Sequence, residues 1–336
     1  MKLIKVALLS RWHVHADDYV REINENKNIS IKLVWDEEII RGEEWAKELG
    51  VPFEKDLKAV LSNPEIDAVI VNTPTSLHKD VIVAAANNNK HIFTEKVLAF
   101  TAKDCDEIYQ AVESAGVKLM VSLPRLTSNN FLYAEKALKE NWIGKLTMIR
   151  CRFAHDGAVV SEGEESGWLP TRFFDQVQAG GGAMIDLGAH PIYLVNRLAG
   201  KAKAVYARLN KVISPKVDDN SALLVDYESG AIGIIETSFV SNSSPFQLEL
   251  YGTIGTLLIN EGDISVASEN VNDGKLTKLT EALPELALPM EQWVDAILNG
   301  STPTITKEDV INLSLLNEAA FLSNEEGRRV EVDKVK

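Results

Sequence analysis

Leu3-Ile4-Lys5-Val6-Ala7-Leu8-Leu9-Ser10-Arg11-Trp12-His13-Val14-His15-Ala16 opens the chain with a short apolar run, a polar turn and a helix start that carries Asp17 and Asp18. A nearly unbroken apolar run reads as a strand buried on both faces of a parallel sheet. Acids in a first turn suit the positive end of a helix dipole. Working outward, strands are expected at 29–36, 67–72, 91–94 and 117–122, with helices between them, one running to Leu49 and closed by Gly50. Cys105, Ile108, Tyr109 and Val112 recur at i, i+3, i+4 and i+7, one face of a helix. Strand and helix taking turns as far as residue 122 imply a doubly wound parallel sheet, an α/β fold.

Beyond this point the pattern changes. A helix is expected over 126–142 with Thr127 or Ser128 as its cap, then a strand over 145–153. The stretch 156–170 is rich in Gly, Ser and Glu and reads as a long loop, more often functional than idle. Strand candidates follow at 203–212, 222–227, 231–239, 246–251 and 256–259, with Glu228-Ser229-Gly230 as a hairpin turn. Late helices are expected at 290–298 and 307–321, and a last strand at 329–332. Consecutive strands imply a large, open, mostly antiparallel sheet, whose free apolar face invites a second copy of the chain. The expected domains are 1–123 and 124–336.

Composition narrows the functional classes. A chain of 336 residues exceeds one ordinary core, so two domains are the natural expectation. With 45% hydrophobic and 25% charged residues it has the make-up of a soluble globular protein. A net charge of −14 argues against nucleic-acid and anionic-membrane partners. The two cysteines, Cys105 and Cys151, have no metal-like spacing, which excludes a disulfide scaffold and points to a reducing cytoplasm. The first residues turn polar too quickly for a signal peptide, and no stretch approaches the length of a membrane span.

A parallel sheet of this kind receives its ligand at the carboxyl ends of its strands. The residues to watch are therefore Ser10 to His15, Asp36, Thr73 to His78, Glu95, Lys96, Pro124 and Arg125. Asp36 stands where an acid would bind a ribose 2′-hydroxyl and repel a 2′-phosphate; a solvated strand end is the plain alternative. The first turn has no glycine, so phosphate contacts there would fall to Ser10, Arg11 or a histidine. A second candidate site is Gly180-Gly181-Gly182-Ala183-Met184-Ile185-Asp186-Leu187-Gly188-Ala189-His190-Pro191-Ile192-Tyr193. Asp186 and His190 are four residues apart and are expected on one helix face, where the carboxylate would orient the imidazole as a general base. A glycine turn feeding a core helix is the commoner outcome of such spacing.

Thr73-Pro74 with His78, Phe93-Thr94-Glu95-Lys96, and Gly180-Gly181-Gly182-Ala183 with Asp186-Leu187-Gly188 and His190 resemble the Gfo/Idh/MocA oxidoreductases, over nearly the whole chain. The resemblance implies an N-terminal Rossmann domain for NAD, or alternatively NADP, bound by Ser10, Trp12, His13, His15, Asp36, Thr73, Pro74, His78, Glu95 and Lys96. It implies a C-terminal α/β domain that forms homodimers or homotetramers. It also implies hydride transfer at a carbinol or carbonyl of a sugar, polyol, cyclitol or related small molecule. Lys96 would hydrogen-bond the reacting oxygen, Asp186 orient the substrate and His190 accept the proton, with Arg125, Trp168 and Arg172 lining the substrate pocket. Two features depart from the family: the glycine-free first turn, and Val97 where proline usually follows the Glu-Lys pair. Pro191 is also expected to kink any helix running through it. Two other readings compete. One is a non-catalytic nicotinamide- or sugar-sensing protein on the same fold. The other is a metal-dependent amidohydrolase with ligands among His13, His15, Lys96, His155, His190 and Asp218 or Asp219, though the chain lacks the eight strand–helix repeats of that barrel.

Overall fold

The structure, a computed structural model, describes residues 3–281, 283–284 and 286–335. The chain forms two compact units: residues up to Leu123 with Ala287–Thr306, and Pro124–Leu286 with the residues from Lys307 onward.

The first unit alternates β1 (Ile4–Leu9), α1 (Ala16–Glu25), β2 (Ile29–Trp35), α2 (Ile39–Leu49), α3 (Leu57–Ser62), β3 (Ala68–Val71), α4 (Thr75–Asn87), β4 (His91–Thr94), α5 (Ala102–Ala115) and β5 (Leu119–Val121). All pairings are parallel, in the order β2-β1-β3-β4-β5. Gly50 (φ 68°) closes α2 in the left-handed conformation that glycine adopts without penalty. Strand order reverses between β1 and β3, which opens a crevice at their carboxyl ends. The sequence reading places 287–306 in the second domain; the structure puts this segment in the first unit. Trp293 explains why. Its ring meets Phe93 edge-on at 5.7 Å, its indole N–H donates to Lys118 O (3.3 Å), and it is almost fully buried.

The second unit contains α6 (Asn129–Lys139), β6 (Leu146–Ala154), α7 (Gln176–Ala179), α8 (Ala189–Ala199), β7 (Ala202–Asn210), β8 (Asn220–Tyr227), β9 (Ile232–Ser238), β10 (Gln247–Gly252), β11 (Gly255–Asn260), β12 (Asp263–Ser268), α9 (Glu269–Asn272), β13 (Thr277–Leu279), α11 (Lys307–Glu326) and β14 (Val330–Glu331); the Pro289–Asn299 helix of the first unit is α10. Its nine strands run β13-β12-β11-β10-β6-β9-β8-β7-β14, antiparallel except for β6 beside β9. Helices α8 and α11 pack on one face. The other face is open, with Tyr206, Leu224, Ile234, Arg150, Glu249 and Leu258 in register across six strands. Tyr206 and Leu224 are about half exposed there.

Three local expectations need correction. The helix over 126–142 is instead a 3₁₀ turn (Pro124–Thr127) followed by α6, because the Thr127 and Ser128 hydroxyls donate back to Pro124 O and Arg125 O rather than capping a helix. Strand β7 stops at Asn210, since Asp219 captures the N–H groups of Val212, Ile213 and Ser214, each at 2.7 Å. β12 and β13 extend the sheet beyond the strands anticipated. Among the described residues no helix is long and apolar enough to cross a membrane.

Candidate functional site

The crevice of the first unit is floored by the turn after β1. Ser10 has φ 74°, the left-handed region that a glycine would normally supply. Its hydroxyl accepts from Trp12 N–H (3.0 Å) and from Arg41 (3.2 Å), so the side chain braces the turn in which it stands in for glycine. His13 N–H donates to Asn72 O (3.1 Å) and Asn72 N–H to Leu9 O (2.9 Å), lacing the turn to the end of β3. Trp12 and His13 are buried within it. His15 stands at the N-cap of α1 without a capping hydrogen bond from its side chain. Asp17 and Asp18 would repel a phosphate from this helix end, yet both are paired. Arg11 donates twice to Asp17 (3.1 and 2.9 Å), and His15 Nδ1 meets Asp18 at 2.8 Å.

Asp36 ends β2 as expected, but its carboxylate is wholly engaged. It accepts from Arg11 N–H (2.8 Å), Glu38 N–H (2.8 Å) and both arms of Arg41 (2.9 and 2.6 Å). The sequence reading has Asp36 face the ribose directly. What reaches solvent instead is the Arg41 guanidinium, held also by Glu37 at 2.6 Å. Arg41 was missed because nothing in its local sequence marks a guanidinium that folds back one turn onto a strand end.

The opposite wall comes from the ends of β3 and β4. Asn72 and Thr73 are buried at the end of β3, and the Asn72 amide oxygen and nitrogen and Thr73 Oγ1 have no hydrogen-bond partner. Buried polar atoms are seldom left so. Their position at the β1/β3 switch point fits a polar ligand such as the nicotinamide end of a dinucleotide, so the residues present fit that group. His78, expected as a cofactor contact, is a buried tie. Its Nδ1 lies 3.0 Å from Val97 O and 3.2 Å from Leu98 O, and Nε2 lies 3.2 Å from Thr73 O, so the ring is packed between the turns after β3 and β4. Burial pushes its pKa down to about 4, so the ring is neutral. Glu95 is buried. It accepts from the Tyr19 hydroxyl and, through Oε2, from Lys96 N–H (3.0 Å), and His13 Nδ1 lies 3.7 Å away. The Lys96–Val97 peptide bond is cis. Lys96 thus sits in a turn held by Glu95 on one side and His78 on the other.

In the second unit the glycine run is a fitted piece of backbone. A Cβ on Gly181 would lie 2.7 Å from Phe321, and one on Gly182 would lie 1.8 Å from Asp218 O. Asp218, buried, accepts from Gly182 N–H (3.0 Å), Met184 N–H (2.8 Å) and Ser221 Oγ (2.7 Å), and its backbone oxygen takes Ala183 N–H (2.8 Å). Burial raises its pKa against the opposing pull of these bonds. The expectation that Asp186 and His190 share one helix is corrected. Residues 183–188 form successive turns, and α8 begins only at Ala189. Asp186 lies in the turn ahead of the helix, partly exposed, and His190 in its first turn, 8% exposed. Pro191 also falls in that first turn, where its missing N–H costs no intrahelical bond, so it need not kink the helix.

His190 Nδ1 is 2.8 Å from the Tyr193 hydroxyl, and Phe153 stands perpendicular to the imidazole at 5.3 Å. The Arg125 guanidinium lies over Phe153 (3.8 Å) and beside Phe246 (5.3 Å), so Arg125 joins this cluster. Trp168 and Arg172 belong to another neighbourhood. Trp168 donates to Asp156 Oδ1 (3.0 Å), lies 4.7 Å from the His155 ring and is 63% exposed; Arg172 sits by Phe173. Tyr193 was signalled only by its place one turn after His190; Phe153 carried no local signal, and Asp218 stood out only as a metal-ligand candidate. The amidohydrolase reading is overturned by the open five-stranded sheet and by Asp218 and Asp219, both spent on backbone N–H groups.

A parallel sheet with a polar switch-point crevice, joined to a second unit built on an open nine-stranded sheet, defines a dinucleotide-binding α/β protein of two domains. The chain belongs to the Gfo/Idh/MocA oxidoreductases. Residues 13–123 match the model of the oxidoreductase family with an NAD-binding Rossmann fold, and residues 131–258 match the GFO/IDH/MocA C-terminal domain. Among relatives, the chain is 28% identical to scyllo-inositol 2-dehydrogenase (NAD(+)) of Bacillus subtilis (strain 168), over 87% of this chain and 86% of that one. It is 26% identical to D-xylose 1-dehydrogenase (NADP(+)) 2 of Haloferax volcanii, over 86% and 87%. Its fold matches levoglucosan dehydrogenase in complex with NADH and levoglucosan at a TM-score of 0.85, with 22% identity over 98% of this chain and 100% of that one.

Proposed function

We propose that the protein is an NAD-dependent dehydrogenase that acts on a secondary CH–OH group of a cyclitol or sugar. The observation that carries this reading is that the Lys96 N–H is held by Glu95 and the His190 imidazole by the Tyr193 hydroxyl, so the chain carries both an ammonium and a base anchored by neighbours. Bound nicotinamide would supply the hydride acceptor. As the carbinol C–H bond breaks, His190 takes the hydroxyl proton and the Lys96 ammonium steadies the negative charge that builds on oxygen. Asp186 orients the substrate, and Arg125, fixed over Phe153, offers donors to its hydroxyl groups. Trp168 and Arg172 are assigned to the outer substrate contacts.

At the cofactor end, Ser10, Trp12, His13 and His15 shape the phosphate turn, and Thr73, Pro74 and Glu95 shape the nicotinamide wall. Asp36 and Glu37 against the single charge of Arg41 leave this corner negative, which favours NAD over the 2′-phosphate of NADP. The open sheet face, with Tyr206 and Leu224 exposed, supports a homo-oligomer. Two buried free cysteines are in keeping with a cytoplasmic enzyme.

The test is a screen of inositols, aldoses and anhydrosugars with NAD, repeated with Lys96→Ala and His190→Ala. Each variant should lose turnover by at least about a hundredfold while binding NADH with nearly unchanged affinity. Normal turnover in either variant refutes the assignment.

A further inference from the structure

We propose that Tyr193 is the positioning residue of His190: by accepting a hydrogen bond from Nδ1–H it holds the imidazole in the tautomer whose Nε2 lone pair can take a proton. The inference rests on the reading of His190 as the proton acceptor. Helix α8 puts Tyr193 three residues after His190, on the same face. Its hydroxyl lies 2.8 Å from Nδ1 and also accepts Arg125 N–H (3.3 Å) from the Pro124–Thr127 turn, so the phenol oxygen is pinned from a second element. Tyr193 is fully buried.

A neutral imidazole carries one proton. Were the phenol to donate to Nδ1, that proton would sit on Nε2 and the ring would have no lone pair left to work with. With Nδ1–H donating to the phenol oxygen, the phenol's own O–H is turned away from the imidazole, Nε2 is the base, and proton uptake at Nε2 leaves the Nδ1–H···O bond in place. The hydrogen bond also fixes which edge of the ring faces outward. The last torsion of a histidine is broad and two-fold, and a flip would exchange Nδ1 with a carbon. Phe153 at 90° and the Tyr193 ring at 70° restrain the ring plane without distinguishing the two flips, and the hydrogen bond to the phenol does distinguish them.

The experiment uses the full chain labelled with ¹⁵N-histidine, the His190 signals being assigned by their loss in His190→Asn. Long-range ¹H–¹⁵N correlation reads the tautomer directly. The expected result is Nδ1–H at His190 in the wild type, and Nε2–H or a mixture in Tyr193→Phe, which keeps the ring and its packing. On a polyol substrate found by the screen, kcat should fall about tenfold in Tyr193→Phe, the worth of one hydrogen bond, with KM little changed. An Nε2–H tautomer in the wild type, or Nδ1–H unaltered in the variant, overturns the proposal. The wild-type spectrum alone decides the first point, whatever the variant does. Absence of turnover on every polyol alongside the expected tautomer change would count against the dehydrogenase reading and leave the role of Tyr193 standing.

Discussion

His78 is buried between the two turns that frame the nicotinamide wall, and lowering the pH should destabilise the fold by forcing a charge onto its buried ring. The ring is buried, with Val97, Leu98 and Thr73 carbonyls around it, and its pKa falls from the ordinary 6.5 to about 4. A histidine whose folded pKa is depressed favours folding in its neutral form. Its contribution is complete above the unfolded value and is lost as pH falls from 6.5 toward 4. The full shift corresponds to roughly 3 kcal/mol, of which about 2 kcal/mol is gone by pH 5. His78→Gln removes the titration while keeping an amide that can donate to Val97 O. At pH 7 the variant should be about 1–3 kcal/mol less stable, because its amide does not reproduce the buried packing and hydrogen bonding of the ring. The assay is urea unfolding of both proteins at pH 7 and pH 5, followed by tryptophan fluorescence and circular dichroism. Other titrating groups cancel in the difference between the two proteins, so the gap should shrink by about 2 kcal/mol at the lower pH. An equal gap at both pH values would refute the claim that His78 is held neutral by burial.

Asp218→Ala should destabilise the second unit by roughly 3–5 kcal/mol, since two backbone N–H groups and the Ser221 hydroxyl lose their buried acceptor; urea unfolding measures it, and a cost below about 1 kcal/mol would contradict the anchoring role. Glu22 lines a cavity of about 410 Å³ with Glu25, Glu291 and Asp295, and burial, with the charges of Asp18, Glu291 and Glu95, raises its pKa to about 7. Its charged form therefore opposes folding as pH rises from 4.5 through 7. Glu22→Gln should gain about 1 kcal/mol at pH 8, a figure reduced for partial solvent screening, and nothing below pH 4.5; thermal unfolding at the two pH values checks this. Arg41→Ala leaves Asp36 and Glu37 without their cation, so the preference for NADH over NADPH should widen about fivefold or more in parallel binding titrations.

Local patterns carried most of the first unit. Buried strands such as Ala68–Val71 are apolar throughout, and Gly50 closes α2 with the positive φ that its position after Leu49 suggests. Lys96 and His190 both stand at element boundaries, one just past β4 and one in the first turn of α8. What stayed hidden depends on partners distant in sequence or on conformations that composition does not announce. Ser10 takes up a left-handed φ that no neighbouring residue demands. Asp218 grips the glycine run from 36 residues away, a contact that no periodicity encodes. The 287–306 segment joins the first unit through Trp293 against Phe93, a pairing visible only once the chain is folded. Asp36 shows the opposite failure: its position was legible, but the Arg41 side chain that covers it was not.

A first turn without glycine must hold a nicotinamide dinucleotide if the protein is a dehydrogenase. Thermal-shift titration of the purified protein with NAD, NADH, NADP and NADPH tests this most directly, because a ligand that binds only the folded state raises its unfolding temperature with concentration. A saturable rise is expected with NAD and NADH, and a weaker one with the phosphorylated pair. No shift with any of the four would contradict the dehydrogenase reading.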